Sequence, residues 1–463
     1  MMKAELNAKT QRREDARDVG GLASLRPGDF ALPEGFRDTP LGPLPETWEV
    51  TSLGEIATLR QETVDPQNIS GLIYVGLEHI DTADTRLKRQ GDPSQVISAK
   101  SRFYPGDVLY GKLRPYLDKA VLVESQGMCS TDILVLTATK KATSDFLAYL
   151  LHTQAVLNHA IATTTGVNHP RTSWRALGRL DVFLPSLPEQ RAIAYALRAV
   201  QEAREATERV IAAARELKRA LMRHLFTYGP VPVAQADQVE LRETEIGAMP
   251  VHWEMVTLGD VLREDIKNGA FVKREQLGKG VPFLNVADTY KNISASHCDW
   301  QRAEARKQEL ETYSVQPGDL FFVRSSLKRE GVGQCCIVEK IDATAIYDCH
   351  LMRVRVKETM AFPKFLAYYS VSAQGKSSLI ARSKTTTMTT INQQGLSGFE
   401  FPLPSLAEQH AIARILTTVD AKIAAEEARR GALEALLHTL LHHLMTGKIR
   451  TQGRQDARTQ RKI

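Results

Sequence analysis

The chain matches itself, and that internal repeat constrains its fold more than any other feature. Arg37 to Ile56 (RDTPLGPLPETWEVTSLGEI) aligns with Arg242 to Val261 (RETEIGAMPVHWEMVTLGDV) at an offset of 205, pairing Trp48 with Trp253. Pro105-Gly106-Asp107 pairs with Pro317-Gly318-Asp319 at 212, and FLAY from Phe146 pairs with FLAY from Phe365 at 219. LPSLPEQRAIA from Leu184 and LPSLAEQHAIA from Leu403 keep the offset of 219, so two insertions of seven residues account for the drift. At about 150 residues per domain, length alone suggests two or three folded units. The repeat makes the 463 residues two copies of one unit, the second longer by 14.

Each copy changes character part-way along. Short apolar runs bounded by Gly, Pro and Asp, such as DVLYGKL, AVLVES and DILVLTA, predict strands, and FLAYLLHTQAVLNHAI predicts one amphipathic helix. An α+β globule follows from that mixture. After it, Ser186-Leu-Pro-Glu189 and Ser405-Leu-Ala-Glu408 have capping-box spacing, in which the serine and glutamate satisfy each other's orphan amides. Beyond each box the chain runs about 40 residues without an internal proline, a helix of about 60 Å. Apolar residues recur there at alternating steps of four and three: Ile193, Ala196, Val200, Ala203, Thr207, Val210, Ala214, Leu217 and Leu221 in the first helix. In the second they are Ile412, Leu416, Val419, Ile423, Leu433, Leu437, Leu440 and Leu444, with Glu426 and Arg430 as polar members. These are coiled-coil seams, and an Ala-rich seam facing a Leu-rich one favours pairing of the two helices.

Composition excludes several classes. No apolar run approaches the length of a membrane helix, and the charged N-terminus lacks a secretory core, so the cytoplasm is the expected location. Cys129, Cys298, Cys335, Cys336 and Cys349 form no C-x-x-C pair and read as reduced thiols, with no metal site expected. The net charge of +6 permits a polyanionic partner without establishing one.

Two α+β copies, each opened by G-x-x-P-x-x-W (Gly42 to Trp48; Gly247 to Trp253) and closed by P-S-L-x-E-Q plus a long helix, resemble the specificity subunit of type I restriction-modification systems. YPGDVLYGKLRPYLDKAVL from Tyr104, followed by CSTDILVL, resembles that family's target recognition domains, and GDLFFVRSSLKREGVG from Gly318 takes the same place in the second copy. The resemblance implies two α+β target recognition domains separated by two long helices in an antiparallel coiled coil. It places a tail at 1–35, the first recognition domain at 36–185, the central helix at 186–228 and a linker at 229–240. The second recognition domain takes 241–404, the C-terminal helix 405–447 and a basic tail 448–463, which carries Arg454, Arg458, Arg461 and Lys462. It further implies a non-catalytic reader of a split, asymmetric site on double-stranded DNA. The partners it implies are two methyltransferase subunits and restriction subunits, which would carry S-adenosylmethionine, ATP and Mg.

Reading DNA needs cations for phosphates and hydrogen-bonding side chains for base edges. The loop GKLRPYLDK offers Lys112, Arg114, Tyr116 and Lys119; its counterpart VRSSLKREG offers Arg324, Ser325, Ser326, Lys328 and Arg329. A second pair of loops offers Asn168, His169 and Arg171 in the first copy, and Lys384, Asn392 and Gln393 in the second. A solvated basic loop or a Ser/Thr turn network accounts for any one of these alone, and recurrence in both copies favours function. Trp48, Trp253 and Trp174 read as packing residues, and His224 and His443 as helix-end residues. An enzyme reading finds little support. There is no G-x-x-x-x-G-K-[ST] loop, Asp65-Pro66-Gln67-Asn68 lacks the second proline and aromatic of a methyltransferase motor, and Asp107 and Asp319 sit in turns. The competing class is a coiled-coil scaffold whose globules bind protein.

Overall fold

The computed structural model describes residues 34–66, 71–295 and 300–451. Both tails beyond those limits, Cys298 and the Gln67-Asn68 half of the Asp65 turn lie outside the described residues. The chain divides into two compact units, one of Met1–Glu205 with Gly431–Ile463, the other of Ala206–Arg430. Each unit therefore contains one globule, the start of that globule's own long helix and the end of the other one.

The globules share a central antiparallel sheet. In the first unit Ala57–Leu59, Ile133–Ala138, Asp107–Gly111 and Ala120–Leu122 lie in that order; in the second, Lys267–Asn268, Leu351–Val354, Asp319–Val323 and Cys335–Val338 do. Period-two alternation explains why both central strands are wholly buried. Val108 and Tyr110 face the helical core with Trp48 and Phe146, while Leu109 faces a second core of Val75, Phe103 and Cys129. Leu320 and Phe322 repeat the first assignment and Phe321 and Val323 the second. Each strand is entered through a Pro-Gly-Asp turn on a left-handed glycine, Gly106 or Gly318. Asp107 accepts from Tyr104 N (2.9 Å) and holds Arg60 (2.8 Å); Asp319 accepts from Gln316 N (2.8 Å) and holds Arg355 (2.5 Å). These two carboxylates are structural.

The predicted single helix after the sheet is two, Ser144–Leu150 and Gln154–Ala162. Thr153 Oγ1 donates to Leu150 O at 2.7 Å, competing for the carbonyl that a continuing helix would use. The second unit breaks at the same place, where Ser372 Oγ donates to Tyr369 O at 2.6 Å.

Both long helices form, at Leu187–Tyr228 and Leu406–Met445. They run antiparallel within each unit. In the first, Ile193, Ala194 and Leu197 share a core with Leu440, Leu441 and Leu444; in the second, Lys218 meets Asp420 (2.6 Å) and Arg215 meets Glu427 (2.5 Å). The capping box is realised at Ser405–Glu408, where Glu408 Oε2 accepts from Ser405 N and Oγ. Glu189 is instead taken by Trp48 Nε1 (2.9 Å) and Arg450 (2.6 Å). The residue after each glutamate is fully buried. Gln190 bonds Thr143 N, Lys141 O and Pro185 O, and Gln409 bonds Phe362 N, Met360 O and Pro404 O. Each helix start is thus locked to its own globule by one amide that makes three backbone bonds.

The helix ends are equally alike. Gly229 and Gly447 take left-handed caps, and a Cβ on either would crowd a neighbour: Trp253 Cζ2 at 3.3 Å for Gly229, Pro45 Cγ at 2.6 Å for Gly447. Trp48 and Trp253 are each 1% exposed and serve as the anchors onto which the incoming helix ends pack.

Candidate nucleic-acid interface

The two loops singled out in each repeat come together into one surface. In the first unit the strand Asp107–Gly111 leads into Lys112, whose amide donates to Asp132 O (3.0 Å) and whose carbonyl accepts from Thr172 N (3.0 Å). Leu113 bridges Arg171, which also pairs with Thr165, and Arg114 N donates to Pro170 O at 2.8 Å. Arg114 and Asp118 bracket a short 3-10 turn, Pro115–Leu117, in left-handed backbone conformations uncommon outside glycine. Buried His152 holds Asp118 through Nδ1 (2.8 Å) and reaches Ala120 O through Nε2 (2.9 Å), which fixes the far side of that turn.

The second unit builds the same junction from different side chains. Arg324 N donates to His350 O at 2.8 Å, Ser325–Ser326 pairs antiparallel with Thr389–Thr390, and Lys384–Thr385 pairs on the other side of Thr389–Thr390. Position by position, Lys112 corresponds to Arg324, Leu113 to Ser325, Arg114 to Ser326, Asp132 to His350 and Arg171 to Thr390.

The expected contact residues separate into committed and uncommitted groups. Lys119 Nζ donates to Leu77 O at 2.6 Å, and Arg171 forks onto Asp132 through Nε (2.7 Å) and Nη2 (3.2 Å). Asn392 is the N-cap of Gln393–Ser397, accepting from Gly395 N at 2.7 Å, and Gln393 donates to Ile266 O at 2.7 Å. Ser326 Oγ accepts from Lys328 N at 3.2 Å. By contrast Lys112, Arg114, Tyr116, Asn168, His169, Arg324, Ser325, Lys328, Arg329 and Lys384 have no side-chain hydrogen bond or ion pair among the described residues, and most are exposed. Hydrogen bonds from Arg171 hold the Asp132 carboxyl below the usual carboxylate range, so it stays charged and keeps the guanidinium aligned.

Three side chains of this surface were missed in the sequence: Asp132, Asp348 and His350. Their signal was positional. Aligning the repeats at the strand Ile133–Ala138 against Leu351–Val354 places C-S-T-D beside Y-D-C-H, a polar turn before the same strand. Asp348, Cys349 and His350 also bring their ligand-type atoms within 4.8 Å of one another. Of the cysteines, Cys129, Cys335 and Cys336 are buried free thiols and Cys349 is half-buried. No helix among the described residues is long and apolar enough to cross a membrane.

Residues 250–435 match the family model described as the type I restriction modification DNA specificity domain. The type I restriction enzyme MjaVIII specificity subunit of Methanocaldococcus jannaschii is 22% identical over 442 residues, covering 92% of this chain and 98% of its own. Among solved structures, the type I restriction-modification S subunit of M. genitalium has a TM-score of 0.57 at 15% identity, covering 90% of this chain and 98% of that one. A chain from a structure of the type I R-M system has a TM-score of 0.53 at 24% identity, covering 88% and 99%. The chain is similar to type I restriction enzyme specificity subunits along nearly its whole length. The segment matched by the family model takes in the second globule together with most of the second long helix, and the internal repeat carries the same pattern into the first half. The α+β arrangement with two long helices is the fold of those solved structures.

Proposed function

We propose that this chain is the DNA-reading, non-catalytic subunit of a type I restriction-modification complex, each unit reading one half of a split, asymmetric site on double-stranded DNA. The observation that carries the reading is the doubled surface. Both units bring the same two loops into one face, and on both several cations, Lys112 and Arg114 in the first and Arg324, Lys328, Arg329 and Lys384 in the second, have no side-chain partner among the described residues. An unpaired, exposed Arg or Lys fits a phosphate or a guanine edge, and condensed counterions released from the duplex supply affinity. Because the faces differ at every corresponding position, the two halves of the target differ as well.

The long helices serve as docking elements for two methyltransferase subunits, with restriction subunits joining the full assembly. Val210 and Leu217, seven residues apart and hence on one helical face, are 41% and 53% exposed, an apolar stripe suited to a partner. S-adenosylmethionine, ATP and Mg belong to those partners, and the complex works in the cytoplasm. Co-expression with its methyltransferase partner and mapping of methylated sites tests the reading. The expected pattern is two short specified tracts flanking an unread gap; Arg114→Ala and Arg324→Ala each relax a different tract, by about 1 to 3 kcal/mol per lost bidentate contact. A single undivided palindrome, or duplex binding indifferent to salt, would overturn it.

A further inference from the structure

The two faces share an arrangement that the loop residues alone do not express: each fixes an outward nitrogen donor or acceptor with a neighbouring carboxylate. In the first unit Asp132 holds Arg171 by Nε and Nη2. In the second, Thr390 stands where Arg171 would be, so the position of Asp132 has no cation to hold. His350 occupies it instead. Its ring Nδ1 lies 2.7 Å from Asp348 Oδ1, which also accepts from His350 N at 2.6 Å. The side chain is 56% exposed.

The turn carrying His350 is set rigidly by backbone bonds. Asp348 N donates to Leu284 O (2.9 Å), Cys349 N to Ala270 O (3.0 Å) and Leu351 N back to Asp348 O (2.9 Å). Gly269 packs so closely beneath it that a Cβ there would lie 2.2 Å from Tyr347 O and 2.3 Å from Asp348 O. The His350 carbonyl is consumed by Arg324 N, which ties the turn to the candidate interface. Among the described residues the imidazole makes hydrogen bonds only to Asp348 and the adjacent thiol, both through Nδ1, and Nε2 makes none.

We propose that His350 is a base-contacting, specificity-determining residue of the second unit and that Asp348 is its positioning residue. With Nδ1–H donating to Asp348, Nε2 is an acceptor, and the edge it suits is the exocyclic amino group of adenine or cytosine in the major groove. The proposal rests on the DNA-reading function above.

The test maps methylation by the complex of chain and methyltransferase partner for His350→Ala, Asp348→Ala, Asp348→Asn and Arg324→Ala, with Arg171→Ala as the control in the other unit. His350→Ala is expected to relax one position of one tract by about tenfold or more and leave the other tract unchanged. Asp348→Ala relaxes the same position, whereas Asp348→Asn, whose carbonyl oxygen still accepts from Nδ1–H, keeps most of the discrimination. Thermal unfolding unchanged in all four second-unit variants separates the effect from loss of fold. If Arg324→Ala relaxes a tract and His350→Ala does not, the inference falls while the DNA reading stands; if neither face responds to any substitution, the DNA reading itself falls. Equimolar Zn2+ is expected to leave the pattern unchanged. A zinc-induced loss of the second tract that Cys349→Ser abolishes would make Asp348, Cys349 and His350 a metal site and overturn the base contact.

Discussion

Single residues in this chain acquire their roles from partners distant in sequence, which is why the loop composition was legible and its division of labour was not. Lys119 and Arg114 look equivalent in the string GKLRPYLDK, yet one ammonium is spent on Leu77 O and the other cation has no partner among the described residues. Glu408 is the converse case, a residue read from its capping spacing that turns out to do more. Burial pushes its carboxyl up, but hydrogen bonds from His252, Ser405 and Trp253 outweigh that and hold it below the usual carboxylate range. A carboxyl depressed in the folded state contributes stability above its unfolded pKa of about 4.3 and loses it as pH falls through the lower folded value. Glu408→Gln is therefore expected to unfold at lower denaturant than the parent at neutral pH, by about 1.5 kcal/mol for the charged acceptor on Trp253 Nε1, Ser405 and His252. Denaturant titrations at low salt should show that gap constant above about pH 5 and closing in stronger acid. A gap that widens in acid would rule the assignment out.

Elements were read more reliably than their faces. The capping boxes and the proline-free runs place both long helices within a residue or two of where they form, and every seam position expected on the second helix is buried or half-buried. On the first helix the pattern slips. Val210 and Leu217 are exposed, while Ile211 is 3% exposed and Gln201 and Lys218 take inward positions beside the expected Thr207. Hydrophobic spacing cannot find such a seam because its polar members are satisfied by specific partners. Gln201 bonds Asp84 (2.5 Å), Thr85 (2.8 Å) and Tyr149 (3.0 Å), and Lys218 pairs with Asp420. The distinction is measurable, since Ile211→Ala removes buried methylenes and is expected to cost about 2 to 4 kcal/mol. Leu217→Ala should change stability by no more than about 0.5 kcal/mol and show its effect, if any, on association with the methyltransferase partner. Equal destabilisation by both would restore the seam as read from the sequence.

At the scale of the whole chain, the linear order of two repeats is folded into a cyclic one. The helix that closes the first repeat ends against Trp253, and the helix that closes the second ends against Pro45 and Trp48. No local pattern foretells this, because the contact joins residues some 400 positions apart: Arg450 reaches Thr47 Oγ1 at 3.2 Å and Glu189 at 2.6 Å. Glu46 N in turn donates to Gly35 O at 2.9 Å, so residue 35 lies a short step from residue 450. What recurs is a junction in which a helix end, a left-handed glycine and a tryptophan meet; in one case the peptide chain continues through it by way of Pro230 to Glu240, in the other it does not. Covalent continuity at one junction is then interchangeable with continuity at the other, provided that packing and not connectivity holds each together. A chain opened within Val233–Gln238 and joined from residue 451 to residue 34 by a short Gly/Ser linker is expected to fold with a thermal midpoint within a few degrees of the parent and, with its methyltransferase partner, to methylate the same split site. A shifted gap between the two tracts, or loss of cooperative unfolding, would mean that the existing 229–240 connection sets the geometry of its junction and that the cyclic equivalence is one of sequence alone.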